Sequence, residues 1–456
     1  MMNKIVIFGV GQYCRKRLEC FIDEEIIAFV DNNSNLWGEK LNGIEIISPE
    51  KLMEINYDAI CIVTGHNKSV EIKKQLLEMG IFAEKIYDND ITFFSAKEEK
   101  RITIRANGDL VSNKVVFFLP NFYNTGGIRA ALYAVSALIN LYGCVTVVST
   151  CDGEVRIEFE NKGADIIITP DISEKNKVLW NIIAYADILF LNGLYFSYLI
   201  PYIKIYENKS IIWWLHTGMS FYNTYPIQNN NMDVGPVKVF GVSALVQKAY
   251  KKNNSNREIG LLPFGIPENK RATYNNHEKI VFAIIGGVTH VKGIDILLKA
   301  INRLSDYEKD KMELWIIGDE IEKKYSDNMH DLTDNLNCIK WLGKRSHEEV
   351  MQLYQSIDIL VSASREDMLP IVTIEAFQNS VTCIMSDSIG TTCYVEDGIN
   401  ALIFRSEDTE NLSEKMSFFI KNPQEIRKMG KCARLVYEQY FSMTAFSKRL
   451  RSICEK

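Results

Sequence analysis

Residues 357–376 read IDILVSASREDMLPIVTIEA, and this stretch contains a predicted strand, a loop and the start of a helix. The β-branched run at its beginning predicts a buried strand, and the polar middle carries Glu366 and Asp367. The apolar end predicts a helix that begins near Val372 to Ile374. A strand that leads through a loop into a helix is the repeating unit of parallel α/β sheets. The acidic loop is therefore expected at the carboxyl edge of such a sheet, where these folds bind ligands.

The same alternation of β-branched runs and helix-period segments continues along all 456 residues, a length that fits about three domains at roughly 150 residues each. We expect an α/β fold of three Rossmann-like, doubly wound units in series. Their first strands are predicted at residues 3–8, 115–119 and 280–285, and the first unit has a predicted helix from Arg15 to Ile22. The predicted bounds are 1–95 for the N-terminal domain, 96–112 for a linker, 113–273 for the second domain and 274–456 for the third.

Composition and charge exclude several classes of protein. The chain has 52 Lys and Arg against 58 Asp and Glu, a net charge of −6, so no nucleic-acid partner is expected, because nucleic-acid binders need an excess of basic side chains. Hydrophobic residues make up 47% and charged residues 24%, as in folded globular proteins. The 10 cysteines are scattered without a C-x-x-C pair, which favours free thiols in a reducing cytoplasm. No segment is predicted to span a membrane or to act as a secretory signal.

A glycine turn follows the first predicted strand. Gly9 and Gly11 would let the backbone approach a pyrophosphate, and Asp31 ends the second strand where a ribose-binding acid would lie. Cys14 occupies the third small position of the turn, and no hydride-transfer pair follows. A scaffolding or assembly role is therefore favoured over nucleotide or nucleotide-sugar binding. Residues 28–52 resemble the small Rossmann-like domain that is fused to bacterial sugar-modifying enzymes and sugar acyltransferases.

The helix after the acidic loop offers groups that suit a nucleotide ligand. Glu375 would lie in its first turn, where a carboxylate can accept hydrogen bonds from vicinal ribose hydroxyls. The backbone N–H groups of Ile371 and Val372 at the helix start would hold a phosphate. Asp367 lies eight positions before Glu375 on the loop that faces the same crevice, where it can bind sugar hydroxyls.

A second candidate loop follows the 280–285 strand and ends in Lys292 and Gly293, where the lysine offers a phosphate a point charge. With the acidic pair, this loop makes residues 113–456 resemble glycosyltransferase family 4, whose GT-B fold consists of two facing Rossmann-like domains. In that family the C-terminal domain binds a nucleotide-sugar through a lysine-glycine loop and two acidic residues with seven residues between them. Lys292, Asp367 and Glu375 match this pattern. Further matching segments are LWIIGDE (314–320), YVEDGINALIF (394–404), TGGI (125–128), LHTG (215–218) and FGVSALV (240–246).

The resemblance implies a retaining glycosyltransferase that needs no metal or other cofactor. It would move a hexose-type sugar from a UDP- or GDP-sugar to a hydroxyl of a glycan, lipid-linked or protein acceptor, in the synthesis of bacterial surface polysaccharide or glycoconjugates. Lys292, the helix-start N–H groups, and Gly126 and Gly127 across the cleft would stabilise the leaving diphosphate. His216 would line the cleft near the transferred sugar. Gly287 stands where the family commonly has an arginine, which leaves Lys292 as the side-chain cation of its loop.

Several alternatives stay open at this point. The chain could be a non-catalytic nucleotide-binding or assembly subunit of a glycosyltransferase complex, or a nucleotide-sugar epimerase of the same fold. Asp367 is shorter than the glutamate of the family, so Glu366 could take over its sugar contacts. His216 could be a structural residue, and His290 could touch phosphate. The other histidines are expected at the surface or in turns: His66, His277, His330 and His347.

The remaining expectations concern the C-terminal region, metal binding and partners. Residues from Pro423 to Lys456 are predicted to form two helices, and the resemblance implies that the last one crosses back onto residues 113–270. The DxD-like string Asp88-Asn89-Asp90 is predicted to be a turn and not a metal site. The expected location is the cytoplasm. A lipid-linked acceptor would bring the protein to the inner face of the plasma membrane, and homo-oligomer association is also left open.

Overall fold

The computed structural model of the chain contains three β-sheets. It describes residues 4–15, 18–21, 24–64, 66–87, 103–105, 114–169, 172, 176–224, 233–254, 257–269, 278–333 and 336–455. The chain divides into two compact units, Met1–Trp213 with Ser220–Val237, and Trp214–Met219 with Lys238–Lys456. Three predicted features lie outside the described residues: the string at 88–90, the linker except residues 103–105, and His277 together with the side chain of His66.

The first sheet has the strand order β3-β4-β2-β1-β5-β6. Its strands are β1 (Lys4–Phe8), β2 (Glu25–Val30), β3 (Lys40–Leu41), β4 (Ile44–Ile47), β5 (Ala59–Ile62) and β6 (Ile86–Tyr87), and its helices are α1 (Gln12–Arg15) and α2 (His66–Glu78). β3 and β4 are antiparallel, whereas the other pairs are parallel. The order reverses between β1 and β5, as expected for a Rossmann-like unit.

The predicted helix from Arg15 to Ile22 is wrong in its bounds. α1 ends at Arg15, and a 3₁₀ turn follows over Leu18–Phe21. Cys14 and Phe21 are buried in the core of this sheet, and Leu18 packs against the same core. Apolar residues three and four positions apart suit a 3₁₀ turn as well as an α-helix, because both place them on one side of the backbone.

The middle sheet has the strand order β14-β13-β12-β11-β8-β9-β10-β7. Its strands are β7 (Thr103–Arg105), β8 (Val115–Leu119), β9 (Val145–Ser149), β10 (Asp165–Ile168), β11 (Ile188–Asn192), β12 (Ser210–Leu215), β13 (Lys238–Gly241) and β14 (Gly260–Leu261). The helices of this region are α3 (Gly126–Tyr142), α4 (Arg156–Asn161), α5 (Lys177–Tyr185), α6 (Ile200–Ile203), α7 (Met219–Thr224) and α8 (Ala244–Asn253). β7 lies within the predicted linker and pairs antiparallel with β10, so part of that linker is an edge strand.

The third sheet has the strand order β17-β16-β15-β18-β19-β20, and its pairs are parallel. Its strands are β15 (Ile280–Ile285), β16 (Met312–Ile317), β17 (Ile339–Gly343), β18 (Ile359–Ser362), β19 (Thr382–Ser386) and β20 (Leu402–Phe404). Its helices are α9 (Ile294–Arg303), α10 (Asp306–Asp310), α11 (Lys323–Thr333), α12 (His347–Leu353), α13 (Ile371–Gln378), α14 (Thr409–Lys421), α15 (Pro423–Val436) and α16 (Met443–Cys454). The order reverses between β15 and β18, so their connections leave a crevice at the carboxyl ends.

The C-terminal region forms the two predicted helices, α15 and α16, with a π-helical turn between them. α16 packs within the second compact unit. Its Phe446 ring lies 6.0 Å from the ring of Trp214, and the carbonyl of Ile453 accepts a 2.9 Å hydrogen bond from Lys238 Nζ. Among the helices described, none is both long enough and apolar enough to span a bilayer.

Candidate functional site

Glycines let the loops at the crevice of the third sheet approach one another closely. Gly293 has a left-handed backbone with φ of 70°, and a Cβ there would lie 2.1 Å from the carbonyl oxygen of Ala363, after β18. A Cβ on Gly318, after β16, would lie 1.8 Å from the carbonyl oxygen of Gly286, after β15. No other residue fits these positions without moving backbone. The loops after β15, β16 and β18 are therefore packed backbone against backbone.

This packing brings Lys292 and Asp367 together. Lys292 Nζ lies 2.6 Å from Asp367 Oδ2, and the two side chains are 31% and 20% exposed. Lys292 belongs to the loop after β15, and Asp367 belongs to the loop after β18, so the pair spans the crevice between the two strands. The structure thus brings the two predicted charged side chains into direct contact.

Glu375 lies in the second turn of its helix, whereas the sequence predicted the first turn. α13 begins at Ile371 with Pro370 as its N-cap, whereas the sequence suggested a start at Val372 or later. Proline has the φ of a helix entry but no N–H to donate, which suits the position before the first turn, and Thr373 Oγ1 donates a 2.7 Å hydrogen bond to its carbonyl. Glu375 is therefore the fifth residue of the helix and is 3% exposed.

His347 contacts this buried carboxylate, which sequence analysis did not predict. Its Nε2 lies 2.8 Å from Glu375 Oε1, while 59% of the histidine side chain is exposed. His347 is the first residue of α12, which Ser346 and Glu349 begin with a reciprocal capping box. The S-x-x-E pattern fixes the start of the helix, and only the tertiary fold brings that start to Glu375.

The first turn of α13 contains the two residues whose N–H groups the sequence assigns to a phosphate. Ile371 and Val372 are its first two residues, and the first N–H groups of a helix have no partner within it. Tyr354 holds the first turn by donating a 2.9 Å hydrogen bond to the carbonyl of Val372. Burial, and next the charge of Glu375, raise the pKa of Tyr354 well above its usual range, so it stays a neutral donor.

The LHTG segment belongs to the second compact unit and lies against the acidic loop. A Cβ on Gly218 would lie 2.4 Å from Glu366 Oε1 and 2.4 Å from Met368 Cε. His216 packs edge-on against Trp214, with 4.3 Å between the ring centroids. Burial lowers the pKa of His216 to about 3, so its ring is neutral near pH 7. Glu366 is therefore a neighbour of this segment.

Other predicted residues of the third sheet have structural partners. The N–H of His290 donates a 2.9 Å hydrogen bond to Glu322, and its ring packs against Tyr325. At Gly287, a Cβ would lie 2.4 Å from Ile321 Cδ1, so the isoleucine side chain fills the space beside this position.

Gly126 and Gly127 begin α3 in the first compact unit. Thr125 is the N-cap of this helix and accepts a hydrogen bond from Ile128 N–H. No atom lies within 4 Å of a Cβ placed on either glycine, so packing does not require glycine there. Arg129, in the first turn, is paired with Glu158 at 2.5 Å.

The side chain of Asp31 accepts a hydrogen bond from the backbone of the glycine turn in the first sheet. Its Oδ2 accepts a 2.9 Å hydrogen bond from Val10 N–H, and its Oδ1 accepts one of 2.9 Å from Asn33 N–H. Gly9 has φ of 99°, and a Cβ there would lie 2.2 Å from Thr64 Cγ2, whereas nothing lies within 4 Å of a Cβ on Gly11. Both carboxylate oxygens therefore hold backbone of their own domain.

Two segments of the chain match models of known protein families. Residues 265–436 match the family model for glycosyl transferases group 1, and residues 1–87 match a model described as C2185-like, N-terminal. The chain is 29% identical over 191 residues to an uncharacterized glycosyltransferase of Methanocaldococcus jannaschii, covering 42% of this chain and 51% of that protein. It is 24% identical over 182 residues to the D-inositol 3-phosphate glycosyltransferase of Corynebacterium aurimucosum, covering 39% and 43%. The chain thus spans about half the length of these curated relatives.

A solved structure identifies the fold. The crystal structure of HepE from Anabaena in complex with UDP and glucose aligns with a TM-score of 0.61 at 15% identity, over 75% of this chain and 100% of that one. The fold is GT-B. The third sheet and its crevice, which carry Lys292, Asp367 and Glu375, lie within the residues that match the model for glycosyl transferases group 1.

Proposed function

We propose that this protein is a retaining, metal-independent glycosyltransferase that moves a sugar from a nucleotide-diphosphate-sugar to an acceptor hydroxyl. The observation that carries the proposal is the contact between Lys292 and Asp367 at the reversal of strand order, with Glu375 buried just inside the helix that follows. A cation, a sugar-binding acid and a ribose-binding acid are the three groups that such a donor needs along its length. The group 1 glycosyl transferase match over the same residues supports it.

Different residues bind different parts of the donor. Lys292 and the N–H groups of Ile371 and Val372 take the diphosphate, whose charge rises as it leaves. Glu375 accepts hydrogen bonds from the ribose, and Asp367 accepts them from the transferred sugar. Since Lys292 contacts Asp367, a bound diphosphate replaces the carboxylate on the lysine and releases Asp367 for the sugar.

The reaction is a front-face displacement. The bond between the anomeric carbon and the phosphate oxygen breaks, the acceptor oxygen bonds to the same face of that carbon, and the acceptor proton passes to the departing phosphate oxygen. The neutral ring of His216 and the carboxylate of Glu366 lie on segments that contact each other, and we assign them to the region of the transferred sugar. The glycines Gly126 and Gly127 are assigned to the leaving diphosphate.

The donor is proposed to be a UDP- or GDP-sugar. The HepE crystal structures with UDP, with UDP and glucose, and with UDP-glucose favour uracil as the first base to test. The acceptor is proposed to be a glycan or a lipid-linked sugar of a surface polysaccharide or glycoconjugate. The cytoplasm, or the inner face of the plasma membrane for a lipid-linked acceptor, is the proposed location.

The N-terminal domain is proposed to serve assembly, including homo-oligomer formation, and not nucleotide binding. Both carboxylate oxygens of Asp31 accept backbone N–H groups of the glycine turn and its neighbouring loop. A ribose would have to compete with these hydrogen bonds, which hold the turn in shape. Size measurement on the full chain and on a chain lacking residues 1–95 tests this role.

Titration calorimetry with UDP and GDP, followed by a transfer assay on a panel of nucleotide-sugars with and without EDTA, tests the main proposal. Lys292→Ala and Glu375→Gln are expected to lower affinity for the nucleotide and to abolish transfer. Lys428→Ala and Glu425→Gln, which alter an exposed pair on α15, are the matched controls. Absence of nucleotide binding by the wild type favours the assembly-subunit alternative. Conversion of the donor to an epimer without acceptor favours the epimerase.

A further inference from the structure

Arg365 lies two residues before Asp367, and each N–H of its guanidinium meets an acceptor. Nη1 donates to the carbonyl of His290 at 2.5 Å and to Asp295 Oδ1 at 2.9 Å. Nη2 donates to Asp295 Oδ2 at 3.0 Å and to Glu407 Oε2 at 3.2 Å. Nε lies 2.5 Å from Glu407 Oε1. An arginine has five such donors in a fixed fork, so this side chain is completely used inside the protein.

These contacts join the two loops that carry the proposed donor-binding charges. The backbone N–H of Arg365 donates a 2.8 Å hydrogen bond to the carbonyl of Val291, directly before Lys292. Asp295, which receives the bidentate contact, lies in the first turn of α9, three residues after Lys292. Arg365 therefore holds the loop of Lys292 on both sides of the lysine, while its own backbone continues into Asp367.

The third anchor is a residue in an unfavourable backbone conformation. Glu407 has φ of 65°, a left-handed value that residues other than glycine, asparagine and aspartate seldom adopt. It lies between β20 and α14, and its carboxylate takes two of the five donors of Arg365. Such a conformation persists where surrounding contacts fix it, and the contact with Arg365 is one of them.

Asp295 keeps its negative charge near neutral pH. Burial alone would raise the pKa of Asp295, but hydrogen bonds from Arg365 and Tyr325 outweigh it and hold the pKa well below its usual range. Tyr325 donates its 2.8 Å hydrogen bond to Asp295 Oδ1, and Lys299 lies 3.3 Å from Oδ2. The positive charge of Arg365 is thus matched by Asp295 and Glu407 and is not available to a phosphate.

We infer that Arg365 is a positioning residue, which fixes Lys292 and Asp367 at the separation that a donor diphosphate and its sugar require. This inference rests on the proposed function. Position 287 is glycine, so the loop after β15 contributes Lys292 as its cation on the diphosphate, and the placement of that single charge decides the affinity. When the diphosphate separates Lys292 from Asp367, Arg365 still holds both loops, because none of its contacts involves either side chain.

Nucleotide titration of the full chain tests the inference through a double-mutant cycle. The proteins are the wild type, Lys292→Ala, Arg365→Lys and the double variant, each titrated with UDP and GDP. Arg365→Lys keeps the charge but cannot supply five donors in a fork. It is expected to weaken binding about tenfold, in the range of one lost charged hydrogen bond. The double variant is expected to bind as Lys292→Ala does, because Arg365 acts through Lys292.

One further double variant, one further single variant and a control separate positioning from a general loss of structure. Arg365→Lys combined with Glu375→Gln should show additive losses, because the carboxylate of Glu375 contacts His347 and not Arg365. Asp295→Asn, which removes the charge opposite Arg365 with little change in size, should repeat the result of Arg365→Lys. Arg451→Lys changes an exposed arginine paired with Glu455 on α16 and is expected to bind as the wild type does.

The outcomes distinguish the inference from the function on which it rests. Wild-type affinity in both Arg365→Lys and Asp295→Asn, or additive losses in Arg365→Lys with Lys292→Ala, would overturn the positioning role alone. Wild-type affinity in Lys292→Ala would overturn the proposed donor site, and the inference with it.

Discussion

Nε2 of His347 lies 2.8 Å from Oε1 of Glu375, and the carboxylate is buried while most of the imidazole is exposed. The histidine can therefore orient one oxygen of Glu375 from the solvent side and leave its remaining lone pairs for ribose hydroxyls. This contact makes His347 a second residue on which the proposed binding of the nucleotide depends.

His347→Ala is expected to weaken nucleotide affinity about three- to tenfold, the effect of losing one hydrogen bond to a charged group. Glu375→Gln should lose more, and the double variant should bind as Glu375→Gln does. Calorimetry measures the four affinities. His330→Ala, which removes another partly exposed histidine paired with a glutamate, is the control. Additive losses would show that His347 contributes by another route.

Asp367→Asn is expected to separate nucleotide binding from transfer. The carboxylate of Asp367 pairs with Lys292 and would compete with a diphosphate for it. The amide removes this competition, so affinity for UDP or GDP should stay equal or rise, while turnover of the nucleotide-sugar should fall at least about tenfold. Titration and the transfer assay measure the two quantities. A large loss of nucleotide affinity would place Asp367 on the diphosphate instead of the sugar.

Alanine substitutions at Gly293 and at Gly126 are expected to have different effects on stability. Gly293→Ala places a Cβ 2.1 Å from the carbonyl of Ala363 on a left-handed backbone, so it should lower the free energy of unfolding by about 2 kcal/mol or more. Gly126→Ala meets no atom within 4 Å on a helical backbone and should leave stability within about 1 kcal/mol. Urea unfolding measures both. If Gly126→Ala keeps its stability but loses transfer, the assignment of that glycine to the donor is supported; full activity contradicts it.

Acid should destabilise the protein partly through His216. Its pKa is about 3 in the folded chain and near 6.5 when unfolded, so the unfolded state binds the proton first. Its stabilising contribution is complete above pH 6.5 and is lost as the pH falls toward 3. Between pH 7 and pH 5 this amounts to about 2 kcal/mol.

His216→Gln, which cannot titrate, should therefore lose less stability than the wild type over that interval. Urea unfolding at both pH values measures the difference. Equal pH dependence in the two proteins would contradict the lowered pKa of His216.

Most strands of the last two sheets were predictable because parallel strands covered on both faces are continuous apolar runs. β15 has the predicted bounds, Ile280–Ile285, for this reason. β20, Leu402–Phe404, was not predicted, because three residues between turn-forming neighbours give no periodic pattern. The helix at Arg15 was placed too late, since its apolar spacing suits two kinds of helical turn.

The candidate site was predictable where a motif links residue type to a local element. Lys292, Asp367 and Glu375 follow strands or begin helices, so the sequence places them at the carboxyl edge of the third sheet. His347 and Arg365 were not predictable as parts of the site, because their partners lie 28 and 70 positions away along the chain. No local pattern records that a capped helix start or a loop arginine will meet a particular carboxylate.

The pairing of β15 with β18, which sets Phe282 beside Ile359, also governs when the proposed donor site can form during synthesis. β16, β17 and their helices are made between these two neighbours, so the lysine loop leaves the ribosome long before the acidic loop. A growing chain that ends between Gly293 and Ser362 contains the cation and lacks both acids. Such a chain lacks two of the three side chains proposed to bind the donor, so ligand stabilisation of the proposed site is expected only after the third sheet has closed across its centre.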